Sequence, residues 1–315
     1  MTTSPIVTRL AQGKKLLLDG GTGSELQRRG VNISKRAADG GLGAWSATAN
    51  VDAPDVVRAV HGDYLRAGAD IITTNSFWSN RTRLGRIGQA DRMEEYTRIS
   101  VELARDAIDA IGSDAYVAGS MAPPEGRSKP GNTVTSGDIS AEFRDQAAVL
   151  AEAGADLILL EYVSSIDEAK TLVNAAAETG LPVFLGLKHF DGAGTLRSKE
   201  GAVAAVEAVA DLPVAAVLDM CSPPEEITAV LPQLRAAFKG PLGAYANIGY
   251  GQDPKARDDD TRQWHRIDVG DNNPDRYAEY ARGWLTDGAQ IVGGCCASTP
   301  EHIAALRGLI PPSTG

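Results

Sequence analysis

Three cysteines carry the most chemistry in this sequence. Cys295 and Cys296 are adjacent in the run Ile291-Val292-Gly293-Gly294-Cys295-Cys296-Ala297-Ser298-Thr299-Pro300-Glu301-His302, and Cys221 closes the run Ala215-Ala216-Val217-Leu218-Asp219-Met220-Cys221. Thiolates are soft ligands suited to zinc, and three of them leave one tetrahedral position open, as in a catalytic rather than a closed structural site. Inert burial is the competing reading, since free cysteines pack readily into cores. A disulfide between Cys295 and Cys296 is a third, disfavoured by the strain of the ring it would close. Spacing alone leaves metal and inert core in balance.

The thiols can meet only if the chain brings two distant segments together. Eight short apolar runs recur, ending near Asp19, Asn75, Ser120, Glu161, Lys188, Cys221, Asn247 and Cys295-Cys296. They are continuously apolar, as strands covered on both faces are. Amphipathic segments lie between them: Pro54 to Ala67, Glu94 to Ile111, Ser140 to Ala153, Ile166 to Thr179, Pro223 to Phe238, Pro274 to Leu285 and Pro300 to Leu309. Strands alternating with helices predict a parallel sheet, and eight units in 315 residues predict a closed (β/α)8 TIM barrel, one domain over 1–315. An open doubly wound sheet is the alternative. Gly20-Gly21-Thr22-Gly23 lacks the third glycine of a dinucleotide-binding turn.

Barrel chemistry sits at the C-terminal strand ends. Strands six and eight of a barrel have neighbouring ends, so Cys221 can approach Cys295 and Cys296. Every one of the eight strand ends is polar although each follows an apolar run. Long connections at about 20–50, 121–138 and 249–273 are expected to serve the site, the last polar enough at Asp258-Asp259-Asp260 to be mobile.

Composition narrows the partners. A net charge of −10 with no long basic run argues against nucleic acid and anionic membranes. Three cysteines are odd in number and too few for a disulfide framework. No apolar run approaches the roughly 18 residues of a membrane span, and the first residues lack a signal-peptide pattern. A reducing, cytoplasmic setting is expected, in which cysteines serve metals or catalysis.

The stretch Gly293-Gly294-Cys295-Cys296 followed by Thr299-Pro300-Glu301-His302-Ile303 resembles the zinc-binding signature of the homocysteine S-methyltransferase family. That family includes the betaine and S-methylmethionine enzymes and the homocysteine-binding module of methionine synthase. Leu18-Asp19-Gly20-Gly21-Thr22-Gly23, Trp45-Ser46-Ala47, Gly68 to Phe77, Ala118-Gly119-Ser120, Glu161-Tyr162 and Tyr245-Ala246-Asn247 also fall where the family has matching elements. Three places depart from it: Met220 stands where asparagine usually precedes the first cysteine, Lys188 where a small hydroxyl residue usually ends strand five, and Ala122-Pro123-Pro124 where Gly-Pro is usual.

The resemblance implies Zn2+ held by Cys221, Cys295 and Cys296, activating the thiol of homocysteine to accept a methyl group from a small onium donor, with methionine as product. Asp19 and Glu161 match positions that bind the substrate amino group. Backbone N–H groups around Gly20 to Gly23, Gly20 and Gly21 foremost, or at Ser120, suit its carboxylate. Asn75, Ser76 and Asn247 suit polar positioning. Tyr162, Phe77, Trp78 and Trp45 suit the donor cation. The two glycines before Cys295 are expected to let the backbone bend, so that consecutive cysteines face one ion. At this length no folate, cobalamin or adenosylmethionine module is expected beside the barrel, so a small donor is expected to be used directly: S-methylmethionine, adenosylmethionine or betaine, a sulfonium being favoured. The alternatives are a relative with another thiol acceptor or donor, suggested by Met220 and Lys188, and a zinc-thiolate redox sensor. A Schiff-base role for Lys188 would leave the cysteines unexplained. His61 and His302 read as structural, and His189 as within reach of the mouth. Oligomeric state is left open.

Overall fold

A computed structural model describes residues 4–35, 42–124, 136–252 and 265–310. The strands are β1 (Leu16–Leu17), β2 (Ile71–Thr73), β3 (Tyr116–Met121), β4 (Leu157–Val163), β5 (Val183–Leu187), β6 (Val214–Met220), β7 (Leu242–Ala246), β8 (Tyr250–Gln252), β9 (His265–Ile267) and β10 (Ala289–Gly294). The helices are α1 (Pro5–Ala11), α2 (Thr22–Arg28), α3 (Ala49–Asp52), α4 (Pro54–Arg66), α5 (Arg81–Gly85), α6 (Met93–Ile111), α7 (Ser136–Glu152), α8 (Ile166–Ala177), α9 (Ala202–Ala208), α10 (Pro224–Ala237), α11 (Pro274–Thr286) and α12 (Pro300–Arg307). All eight apolar runs contain or become parallel strands, in the order β1-β10-β7-β6-β5-β4-β3-β2.

The ring closes between β1 and β2 through one backbone bridge, Leu18 to Ile71. Side chains complete this seam. Asp70 accepts from Leu17 N at 2.8 Å, and Asp19 accepts from Thr73 N at 2.8 Å. The chain is therefore a (β/α)8 TIM barrel.

Alternation along each strand divides the core in two. Leu16, Leu18, Leu157, Leu159, Phe184, Ala216, Leu218 and Ile291 fill the barrel, and Ile6 and Leu10 of α1 join that cluster, closing the N-terminal end. Leu17, Ile72, Ile158, Leu160, Leu185, Val217 and Val292 face the helices. Local rules set the helix ends. Ser165 caps α8 by accepting from Glu168 N, Gly112 ends α6 at φ 71°, and Thr299 with His302 forms a capping box before Pro300 opens α12.

The expected helices form with ends shifted by a few residues; α1, α2, α3, α5 and α9 are additional. The connection at 249–273 carries an antiparallel pair, Tyr250 opposite Ile267 and Gln252 opposite His265, and Asp258-Asp259-Asp260 lies outside the described residues. No described helix is long and apolar enough to cross a membrane.

Candidate metal centre and substrate pocket

The three thiols come together at the C-terminal mouth. All three sulfurs lie within 4.8 Å of one another, and no other described His, Cys, Asp or Glu belongs to that group. Cys221 Sγ is 3.8 Å from Cys296 Sγ, which is 3.8 Å from Cys295 Sγ. Backbone bonds hold each one: Cys221 N donates to Tyr245 O, Cys295 N to Ala246 O, and Cys296 O accepts from Ile248 N. Thus main-chain bonds at the ends of β6, β7 and β10 lock the cluster, with the Ser298 hydroxyl donating to Cys295 O at 2.7 Å. One negative charge is favoured in it: Cys295 and Cys296 donate toward Cys221 and hold its thiol well below the ordinary range, and that donation raises their own.

The glycines act differently from the expectation. The left-handed backbone falls on Cys221 (φ 54°) and Ala297 (φ 69°), not on Gly293 or Gly294. Those two are needed for room. A Cβ on Gly294 would lie 2.1 Å from Ser298 Oγ, and one on Gly293 2.6 Å from the Leu18 side chain. Gly293 abuts the residues that follow β1 and Gly294 abuts Ser298 of its own turn, so close approach rather than bending selects glycine.

Beside the thiols a cavity of about 280 Å³ is lined by Asp19, Gly20, Gly21, Asn75, Ser120, Glu161, Tyr162, Asn247 and the three cysteines, among others. Lys188 alone of the strand-end residues is not in its wall. Asp19 and Glu161 are both buried. Asp19 accepts from Thr73 N at 2.8 Å and Thr73 Oγ1 at 2.7 Å. Glu161 accepts from Ser120 Oγ and, at 3.0 Å, from Tyr245 Oη. Burial pushes the Asp19 carboxyl up to about 8 against the Thr73 bonds, and pushes Glu161 up to about 7 against those from Ser120 and Tyr245. Two buried carboxyls with no cation in the wall are a site waiting for a positive group.

Glu161 owes its place to a bulge. The β4–β5 register shifts between Leu160 and Val163, and Tyr162 adopts φ 61°. Glu161 and Tyr162 consequently both reach the cavity, although consecutive strand residues ordinarily face opposite sides. Tyr162 N donates to Met220 Sδ at 2.8 Å, so the thioether that stands in the asparagine position supports this bulge.

Above the carboxyls lies an aromatic rim. Trp45 meets Phe77, Trp78 and Tyr250 at centroid distances of 5.8, 6.2 and 6.1 Å, and Phe77 meets Tyr162 edge-on at 6.2 Å. Two expected polar contacts are occupied within the protein. Asn75 Nδ2 donates to Ser46 O and Asn50 Oδ1, which fixes the loop bearing Trp45. Asn247 Oδ1 accepts from Gly249 N and Tyr250 N, which fixes Tyr250. Both line the cavity but serve as braces. Ser120 N donates to Thr74 Oγ1 and Gly21 N to Ser298 Oγ, so neither N–H is available to a carboxylate. The expected polar positioning by Ser76 is also displaced: its hydroxyl donates to Ser120 O.

The reading from sequence passed over Thr22, Tyr245 and Tyr250. Thr22 Oγ1 is buried in the cavity wall without a partner among the described residues, as is Trp78 Nε1. Thr22 lies inside the Gly20-Gly21-Thr22-Gly23 run, which was the available signal. Of the histidines, His302 caps α12, His61 is wholly buried, and His189 faces away from the mouth onto Asp219.

A family model described as homocysteine S-methyltransferase matches residues 16–310. The chain belongs to the homocysteine S-methyltransferase family. It is 30% identical to homocysteine S-methyltransferase of Escherichia coli (strain K12), over 96% of this chain and 98% of that one. It is 29% identical to homocysteine S-methyltransferase YbgG of Bacillus subtilis (strain 168), over 92% and 93% respectively. The structure is similar to the metallated form of the Escherichia coli homocysteine methyltransferase MmuM, with a TM-score of 0.77 and 27% identity over 97% of this chain and 99% of that one. Membership makes this barrel an S-methyltransferase, and its cysteine cluster a candidate metal centre in an enzyme family with a metallated member.

Proposed function

We propose that the chain, read as one homocysteine-binding barrel over 1–315, transfers a methyl group from a small sulfonium donor to the thiol of homocysteine, giving methionine, with Zn2+ at Cys221, Cys295 and Cys296. The carrying observation is the three-thiol cluster opening onto a cavity with two uncompensated carboxyls. The donor set fits zinc: three soft sulfurs, no oxygen ligand, and a fourth position left to substrate. Zinc, when bound, would supply a Lewis acid that makes a thiol with an ordinary pKa of ~8.5 a thiolate at neutral pH.

The chain's own residues do the rest. Asp19 and Glu161 pair with the substrate ammonium, which restores their ionised forms. Thr22 Oγ1 is free to donate to the substrate carboxylate. The faces of Trp45, Phe77, Trp78 and Tyr162 favour a sulfonium, and the rim keeps water from the reacting atoms. Holding the donor methyl in line with the acceptor sulfur supplies several kcal/mol of the barrier lowering. Reduced thiols require a reducing setting, consistent with the cytoplasm.

The test is a donor screen. Purified protein should contain about one zinc per chain. With homocysteine it should form methionine from S-methylmethionine faster than from betaine. Zinc-free protein of full activity, or a thiol other than homocysteine as the better acceptor, would sink this reading.

A further inference from the structure

Lys188 is a buried cation that the site described above does not use. It directly follows β5, and only 8% of it is exposed. Its Nζ donates to His189 O and, at 3.2 Å, to Ser222 Oγ, and lies 4.4 Å from the Phe190 ring centroid. Both hydrogen-bond acceptors are neutral. Among the described residues no carboxylate forms an ion pair with it. The two carboxylates that act on it pair with His189 instead: Asp219 at 3.0 Å from Nε2 and Glu226 at 3.8 Å from Nδ1. A buried ammonium without an anion is costly, and its partner is to be sought nearby.

The strand geometry indicates where. Phe184 lies in the barrel interior, and a Cβ on Gly186 would meet Tyr245 Oη and Met220 Sδ there. Lys188 continues that alternation, and its N still donates to Val163 O along the sheet. Asp219 and His189 have the opposite parity. Lys188 therefore leans over the end of β6, where Ser222, its acceptor, is the residue after Cys221. Burial holds its ammonium below the ordinary lysine range; among the negative groups that oppose this, Cys221 comes first, ahead of Glu226, Asp219 and Cys295.

The missing anion is then the thiol cluster. Three thiolates exceed the charge of a divalent ion by one, and a substrate thiolate beside them raises the excess to two. We propose that Lys188 is the counter-cation of the Cys221–Cys295–Cys296 cluster: its ammonium offsets the negative charge that the three sulfurs carry when they hold a metal ion. This rests on the zinc reading above. It makes Lys188 a positioning residue, acting on the ion through space rather than as a ligand.

The experiment compares zinc affinity, measured by chelator competition, with the melting temperature of the metal-free protein, in wild type, Lys188→Met and Lys188→Gln. Methionine removes both charge and hydrogen bonding; glutamine keeps polar contacts without charge. Both variants should lose on the order of 10–100-fold in zinc affinity, as loss of an outer-sphere partner does. Both metal-free variants should still melt cooperatively, so that a loss of zinc affinity is not a loss of fold. Zinc binding as tight as wild type in both variants overturns the proposal. So does a loss confined to Lys188→Met, which would assign the effect to hydrogen bonding. If Lys188→Met fails to fold, Lys188→Gln decides alone; failure of both to fold makes the ammonium a requirement of the fold and also overturns the proposal. Wild type that binds no zinc removes the zinc reading itself, whereas wild-type binding shared by the variants removes only the role of Lys188.

Discussion

The thiol side of the mouth and the carboxyl side are built by different means. Cys221, Cys295 and Cys296 are placed mainly by main-chain bonds at the ends of β6, β7 and β10 and by two glycines that let the turn pack closely on itself and on the residues after β1. Asp19 and Glu161 are held mainly by side chains, Thr73 on β2, Ser120 on β3 and Tyr245 on β7, with one main-chain bond from Thr73 N to Asp19. The backbone-built side presents its groups in one fixed geometry, which an ion demands. The side-chain-built side holds carboxyls whose ionisation the environment resists, which suits a ligand that brings its own charge.

Removing one thiol tests the first side and should have the largest effect. Cys295→Ala should abolish stoichiometric zinc and lower kcat/KM by about 10³-fold or more, since several kcal/mol of Lewis-acid activation is lost. Metal analysis with steady-state kinetics checks it. Retained zinc with lowered activity would show that the thiols act one by one rather than as a ligand set.

Glu161→Gln tests the second side. A buried charge-assisted bond is worth about 1.5–3 kcal/mol, so KM for the acceptor should rise about 10–150-fold while zinc content stays unchanged. The pH dependence supplies the sign. Burial raises the folded pKa to about 7, above the ordinary carboxylate range, so the protonated form favours folding, and that stability is lost as pH rises through 7. Ligand-free Glu161→Gln should therefore melt no lower than wild type at about pH 8, although it binds acceptor worse. In wild type the acceptor KM should fall as pH rises through this range, and the variant should lose part of that slope. A variant that melts well below wild type would make Glu161 a structural residue.

Tyr245→Phe gives the smallest effect and sharpens the comparison. It deletes one bond to Glu161 and leaves Cys221 N its acceptor, the main-chain oxygen of residue 245. The expected loss is about 1 kcal/mol, a few-fold in acceptor KM, with zinc affinity unchanged. A matching loss of zinc would show that the two sides are one network.

This division also explains what could be read in the sequence. Groups placed by main-chain geometry are the easier to read: a strand-end cysteine and a Gly-Gly-Cys-Cys run can be brought together once the eight-fold strand rhythm is counted, and the family resemblance then tips the balance from inert core to metal. Groups placed by side chains are harder to read. The Tyr245 bond to Glu161 spans 84 positions and depends on a bulge in β4 that the apolar run Leu157 to Leu160 does not signal. Asn75 and Asn247 were legible as polar strand ends, but not as braces for Trp45 and Tyr250. Tyr250 belongs to a hairpin inside a connection that reads as polar loop. Lys188 was visible as a departure; only the assignment of Asp219 and Glu226 to His189 leaves its charge unmatched.

The seam between β1 and β2 gives Asp19 a second occupation. Apart from one bridge, the join relies on Asp70 and on the Asp19 carboxylate that grips Thr73. The same carboxylate faces the cavity. On the proposed reading, an ammonium captured by Asp19 would keep it ionised and strengthen its hold on Thr73, so loading the acceptor would fasten the hoop of the barrel where β1 meets β2. Binding and mechanical closure would then be coupled through one side chain.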